Sequence, residues 1–168
     1  MKTKVKFLLM LLVALPLLST LNSCKNDDDD SSSLVGTWYY RDVTAGEIKT
    51  NSSANDLIIK SYVAKLGVDD YIGFWFEFKA DGTCRASYKD EKPSSGSYTY
   101  ANGVLTVTDG GERTTMNVSV VDDVLTFEKD YTAECNRLSQ SLLSVMGVKD
   151  PANFKVIKAI GKINFLKR

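Results

Sequence analysis

Two tight-turn signals set among short alternating runs place the strongest limit on what this chain can fold into. Asn102-Gly103 separates residues 96–101 from 104–108. Both turn positions favour positive φ, which a two-residue hairpin needs if its twist is to match the paired strands. That register sets Tyr100 opposite Leu105 and Tyr98 opposite Val107, all on one face. Ala80-Asp81-Gly82 separates 71–79 from 83–88. A three-residue turn with Gly82 left-handed sets Phe78 opposite Cys84, with Phe74 and Phe76 on the same side. A one-residue slip would turn the whole aromatic set outward, so these turns bear on stability as well as connection.

The same grammar repeats along the chain. Residues 34–43, 71–79, 83–88, 96–101, 104–108, 113–121, 124–127 and 162–166 read as short strands, and that number suggests a mainly β barrel or sandwich. Two helical patterns interrupt them. Ser53-Ala54-Asn55-Asp56 reads as a capping box ahead of Leu57, Ile58, Tyr62, Val63 and Leu66, with Gly67 as the stop. A second helix is expected over 131–145, with Leu138, Leu142 and Val145 on one face and Gly147 at its end. Pro151 then opens a shorter helical piece containing Phe154, Ile157 and Ile160.

The N-terminus speaks to location. Lys2, Lys4 and Lys6 precede an apolar run from Phe7 to Leu18 that is too short to span a bilayer, the pattern of a signal peptide. It leads to Leu21-Asn22-Ser23-Cys24, which resembles the lipobox of bacterial lipoproteins. The resemblance implies cleavage after residue 23, a diacylated Cys24 thiol (palmitate-type chains) and an acylated new N-terminus. An ordinary cleavage site followed by a cysteine reads the same residues without lipid. Acyl chains contribute about 0.8 kcal/mol per buried methylene, so two or three on one residue hold a protein firmly on a membrane. Residues 24–33, Lys25-Asn26 followed by Asp27 to Asp30 and three serines, offer no apolar side chain to bury beyond Cys24 and read as a solvated tether. The acidic run is also similar to the signal that sends some Gram-negative lipoproteins to the outer face of the outer membrane. Its adjacent aspartates lack the alternate spacing of a calcium loop.

Residues 34–168 form one domain of about 135 residues, long enough for a real core. The chain carries 21 basic and 21 acidic residues. The leader takes three lysines, and the tether takes Lys25 and four aspartates, leaving 17 of each sign in the domain. Such balance offers no footprint for nucleic acid. Lys155, Lys158, Lys162, Lys167 and Arg168 make the C-terminal stretch basic, as a solvated face or as a site for lipid phosphates.

Gly36-Thr37-Trp38 in the first strand is similar to the glycine-x-tryptophan motif of lipocalins. There the tryptophan closes one barrel end and a basic residue of the last strand packs on it. Phe78-Lys79-Ala80-Asp81-Gly82-Thr83, Gly96-Ser97-Tyr98-Thr99-Tyr100 and a helix after the first strand resemble uncharacterised lipocalin-like domains of bacterial surface lipoproteins. The resemblance implies an antiparallel barrel of about eight strands, with a helix after the first strand and C-terminal helices. It also implies Lys167 or Arg168 as the partner of Trp38. The helical C-terminal third departs from a plain lipocalin with an open mouth.

Chemistry is sparse. The chain contains no histidine, which removes Ser-His-Asp and Cys-His mechanisms and the commonest metal ligand. Asp69-Asp70 and Asp122-Asp123 flank strands, where turn chemistry accounts for them, and Glu77 alternates outward from Phe76 and Phe78. No catalytic residue, metal site or cofactor is expected. Cys84 and Cys135 are compatible with a disulfide in the envelope, while Cys84 is also explained as a small buried hydrophobe. Asn51-Ser52-Ser53 and Asn117-Val118-Ser119 match glycosylation sequons, to which no role is attached. The expected function is non-catalytic binding. One form is a pocket for a small apolar molecule lined by Trp38, Tyr40, Phe74, Phe76, Phe78, Tyr98, Tyr100 and Leu105. The other is a barrel filled by those same side chains that meets an envelope protein through its surface. An interior void of a few hundred Å³ separates the first from the second.

Overall fold

A computed structural model describes residues 31–66, 68–89 and 91–168. The signal peptide, Cys24 and Gly67 lie outside the described residues. Eight strands close into an antiparallel barrel in sequence order: β1 (Gly36–Thr50), β2 (Phe74–Phe78), β3 (Thr83–Tyr88), β4 (Ser94–Ala101), β5 (Val104–Asp109), β6 (Glu112–Val121), β7 (Val124–Asp130) and β8 (Val156–Lys167). Among the described residues five short helices accompany them: α1 (Ser31–Leu34), α2 (Asp56–Lys65), α3 (Val68–Tyr71), α4 (Thr132–Asn136) and α5 (Gln140–Val145), with a 3₁₀ turn at Ser53–Asn55 leading into α2. From β2 to β7, short turns leave each strand beside its predecessor, while α2 to α5 lie in the two long connections β1–β2 and β7–β8.

The turns act as read. Asn102 and Gly103 have φ of +52° and +73°, and Tyr100 pairs with Leu105 and Tyr98 with Val107. Gly82 has φ of +78° and Phe78 pairs with Cys84. The Asp81 carboxylate accepts from the Thr83 amide at 2.9 Å and hydroxyl at 2.6 Å; those bonds hold its pKa below the ordinary carboxylate value. Asp122 and Asp123 occupy the β6–β7 turn with φ of +48° and +59°, so their role there is conformational.

Two compact units divide the fold. The first holds the residues up to Tyr40, 73–127 and 165–168; the second holds 41–72 and 128–164. The core of the first is aromatic. Phe74, Phe76 and Phe78 alternate inward along β2, and the Phe76 ring lies 5.0 Å from Phe165, 5.5 Å from Phe127 and 6.1 Å from Phe78. The contact with Phe165 is edge-to-face, an arrangement worth about 0.5–1.5 kcal/mol beyond area burial.

In the second unit Ile59 and Val63 of α2 pack with Tyr131, Cys135, Val156 and Ala159. Here the structure corrects the sequence reading. The piece expected to be helical from Pro151 is turn and extended chain, and β8 begins already at Val156. Asparagine amides take the place of helical hydrogen bonds. Asn55 accepts from the Lys149 amide at 2.7 Å and donates to the Lys149 carbonyl at 3.1 Å. Asn136 does the same to Val156 at 2.8 and 2.9 Å. Asn51 accepts from the Lys155 amide and donates to the Asn153 carbonyl. Each side chain imitates one rung of a ladder, which satisfies backbone groups that a loop would otherwise strand.

The other differences have local causes. Ser53 does not cap α2; Asp56 instead accepts from the Thr50 amide and hydroxyl at 2.9 and 2.7 Å, tying the end of β1 to the helix start. The expected single helix over 131–145 is two, because Asn136 turns to Val156 and Ser139 restarts the chain as N-cap of α5, accepting from the Leu142 amide. That shift buries Leu143 and leaves Leu142 and Val145 exposed. Tyr71 closes α3 rather than opening a strand. Cys84 and Cys135 are free buried thiols. Each is sufficiently explained as a small side chain in its own unit's core.

Candidate functional site

Inside the first unit one apolar cavity stands open. Its floor and sides come from Phe76, Phe78, Cys84, Leu105, Val107, Met116 and Phe127, with Ala86, Arg85, Ser94 and Gly96 completing the lining. The volume open to the centre of a water molecule is ≈ 20 Å³. About 10–15 Å³ of such space admits one water, and a water needs polar partners to stay. The cavity is therefore a packing gap of about one water's size.

The expected pocket residues spread wider than this gap. Phe76, Phe78 and Leu105 line it. Trp38 is completely buried: its indole N–H donates to the Leu34 carbonyl at 2.8 Å and the Lys167 ammonium lies 5.3 Å from its ring centroid. Leu34, itself fully buried at the end of α1, and Lys167 thus fix the tryptophan from two sides, and Lys167 is the basic partner that the lipocalin resemblance implies. Gly36 is needed for this, since a Cβ there would stand 2.5 Å from the Lys167 side chain and its φ is +142°. Tyr98 packs edge-on against Phe78 at 5.0 Å, and its hydroxyl donates to the Lys79 carbonyl at 2.9 Å. That hydroxyl serves the β2–β3 turn, and burial raises its pKa. Phe74 packs on Phe76 and Tyr88, and Tyr40 on the edge of Phe165. Tyr100 is half-buried on β4, away from the gap lining.

The thiols are electrostatically quiet. Burial pushes Cys84 up to about 11, against a smaller opposing effect of the Gly96 amide. Cys135 is likewise pushed up to about 11, by burial first and then by Glu134 and Asp130. Both are protonated at neutral pH and poor nucleophiles.

Outward from the same strands lies a feature missing from the sequence-based candidates. Trp75 alternates with the buried Phe74 and Phe76 and so projects from the opposite face of β2. It is half-buried, directly across from Tyr39 on β1 and Ser87 on β3. Tyr39 is 40% exposed, with the Arg168 guanidinium 5.4 Å from its ring centroid. Two residues along, Thr37, Glu77, Arg85 and Ser95 form the next cross-strand row, with Glu77 Oε2 3.6 Å from Arg85 Nη1. The signal was present in the sequence: a tryptophan on the polar phase of an alternating strand.

No family model matches the chain, and no curated protein matches it. Among solved structures, the crystal structure of a DUF4847 family protein from Bacteroides vulgatus aligns over 83% of this chain and 96% of that one, with 12% identity and a TM-score of 0.41. The fold assignment here rests on the strand order and pairing described above.

Proposed function

We propose that this chain is a non-catalytic interaction module: a lipocalin-like barrel, held at the outer membrane by acyl chains on Cys24, whose interior is structural and whose outer surface meets a partner in the envelope. The observation that carries this reading is the ≈ 20 Å³ gap at the centre of the aromatic core. Drug-sized ligands occupy pockets of several hundred Å³, and the side chains that would line one are spent on each other and on backbone carbonyls. Support for a non-catalytic role comes from the sequence, which lacks histidine, and from aspartates placed where turns require them. The lipobox-like Leu21-Asn22-Ser23-Cys24 supports the anchor and the envelope location.

The test is extraction of the natively expressed protein, intact-mass measurement and identification of whatever stays bound. The expected result is a mature chain starting at an acylated Cys24, partitioning into detergent, with an empty barrel. Cys24→Ala should release the protein from membranes or block maturation. A stoichiometric small molecule inside the barrel would restore the carrier reading, and an unacylated residue 24 would remove the anchor.

A further inference from the structure

We propose that the end of the barrel where β1 begins and β8 finishes lies against the membrane that holds Cys24, with its apolar turn tips in the lipid headgroup layer. This rests on the reading that Cys24 is acylated.

Strand order decides which turns share that end. Gly36 opens β1 opposite Phe78 at the close of β2, so the β2–β3 turn at residues 79–82 lies beside it. In an antiparallel barrel that runs in sequence order the turns alternate between the ends, which adds Asn102-Gly103 and Asp122-Asp123 to this one. Two hydrogen bonds tie the set together: Arg168 donates its amide to the Thr37 carbonyl and Lys167 to that of Asp123, each at 3.0 Å. Only Val35 separates α1 from β1. Leu34, at the close of α1, is fully buried and its carbonyl accepts from the Trp38 indole. The chain thus enters the barrel at this end, through a segment locked to its core. Six residues lie between Cys24 and Ser31, so α1 is within about 25 Å of an acylated cysteine even when that stretch is fully extended. A small folded domain is about 30 Å across, too thick to seat between the two.

The turns at the two ends expose different side chains. Those at the near end present Ala80, Ala101, Val104 and Val121, and Val121 is 62% exposed. Those at the far end, residues 89–93 and 109–112, expose Lys89, Glu91, Lys92 and Glu112 among the described residues. Charge at the near end cancels, with Lys79, Arg85, Lys167 and Arg168 against Glu77, Asp81, Asp122 and Asp123. Small apolar tips among balanced charges suit the headgroup layer of a neutral bilayer, where the charges stay wet while the methyl groups leave water. Four such side chains make a weak contact for a free protein. An anchored one meets the surface at the effective concentration that its short tether imposes, so weak contact is enough. Asp27 to Asp30 add negative charge beside the bilayer, which makes neutral lipid the fitting surface.

The experiment uses the full-length protein purified from membranes and reconstituted in phosphatidylcholine vesicles, a fraction of whose headgroups carries a nitroxide. Val104→Cys and Val121→Cys place a thiol-reactive fluorophore at the near end, Lys92→Cys and Glu112→Cys at the far end. The buried Cys84 and Cys135 leave the wild type unlabelled. Two sites at each end keep the comparison if one variant fails to fold, and flotation with the vesicles reads the anchor separately. Quenching by the headgroup nitroxide should be at least about threefold greater at the near sites than at the far ones. With the label moved to Ala80→Cys, adding Val104→Asp and Val121→Asp should at least halve the quenching, while near-ultraviolet circular dichroism shows the fold retained. Protein that floats but is quenched equally at both ends, or more at the far end, would overturn the proposal with the anchor intact. Near-end quenching that the two aspartates leave unchanged would overturn the docking of the tips. Protein that does not float would overturn the anchor and the orientation together.

Discussion

Asn55→Asp changes one atom at a site that is 1% exposed, and its effect should depend on pH. The asparagine accepts from the Lys149 amide at 2.7 Å and donates to the Lys149 carbonyl at 3.1 Å. An ionised aspartate keeps the first bond, loses the second and sets a buried negative oxygen against a carbonyl. An orphaned buried carbonyl costs about 1–3 kcal/mol and a buried charge adds to it, so a loss of about 2–4 kcal/mol is expected at pH 7. Protonated, the new carboxyl can donate to that carbonyl and recover much of the loss. The folded state therefore holds the proton more tightly, and its pKa rises above the unfolded value of about 3.9. With more protons bound in the native state, stability falls as pH rises through the folded pKa. Urea unfolding of the full chain at pH 4 and pH 7.5, each against wild type at the same pH, reads this out. Asn55→Leu, which loses both bonds and cannot titrate, should lose about 2–5 kcal/mol at either pH. An Asn55→Asp cost below about 0.5 kcal/mol, or one equal at both pH values, would refute the claim that these amides hold the segment.

Three further outcomes are expected. Trp38→Ala should cost about 3–5 kcal/mol in denaturant unfolding, the range for deleting a large buried ring. Gly96→Ala would set a Cβ 2.4 Å from the Thr108 carbonyl oxygen, so it should cost about 1–3 kcal/mol and disturb the β4–β5 amide resonances. The thiols of Cys84 and Cys135, raised from 9.0 to about 11 by burial, should resist a disulfide reagent at pH 8 until the chain unfolds. Because their folded pKa lies above the unfolded one, the stability they contribute is complete below about pH 9 and is lost as pH rises toward 11.

The parts of the fold legible in the sequence are those decided by neighbours in the chain. Asn102-Gly103 and Gly82 determine register through their own φ preferences, and alternation then decides which of Tyr98, Phe76 and Leu105 turn inward. The parts that escaped depend on partners far away. Asn51, Asn55 and Asn136 look like ordinary loop and cap residues, and their amide pairs with Lys149, Asn153, Lys155 and Val156 exist only in three dimensions. Local helix propensity after Pro151 loses to those bonds. The same limit applies to the site: Phe74, Phe76, Phe78, Tyr98 and Leu105 are buried, but the free volume they leave is a property of packing. Trp75 was readable as an outward ring, and its pairing with Tyr39 followed only once β1 was aligned on β2.

The seam of the barrel has a kinetic meaning. Arg168 donates its amide to the Thr37 carbonyl at 3.0 Å and Lys167 donates to that of Asp123 at 3.0 Å, while the Lys167 side chain covers Trp38. The tryptophan of the first strand is thus shielded on this side by the last, about 130 residues downstream, and contacts of such separation make for slow folding. Hairpins from β2 to β7 rest on contacts close in sequence, so ring closure is expected to follow them. Losing a few C-terminal residues should therefore leave the hairpins paired and the ring unsealed, a state in which Trp38 emission shifts toward that of a wet indole.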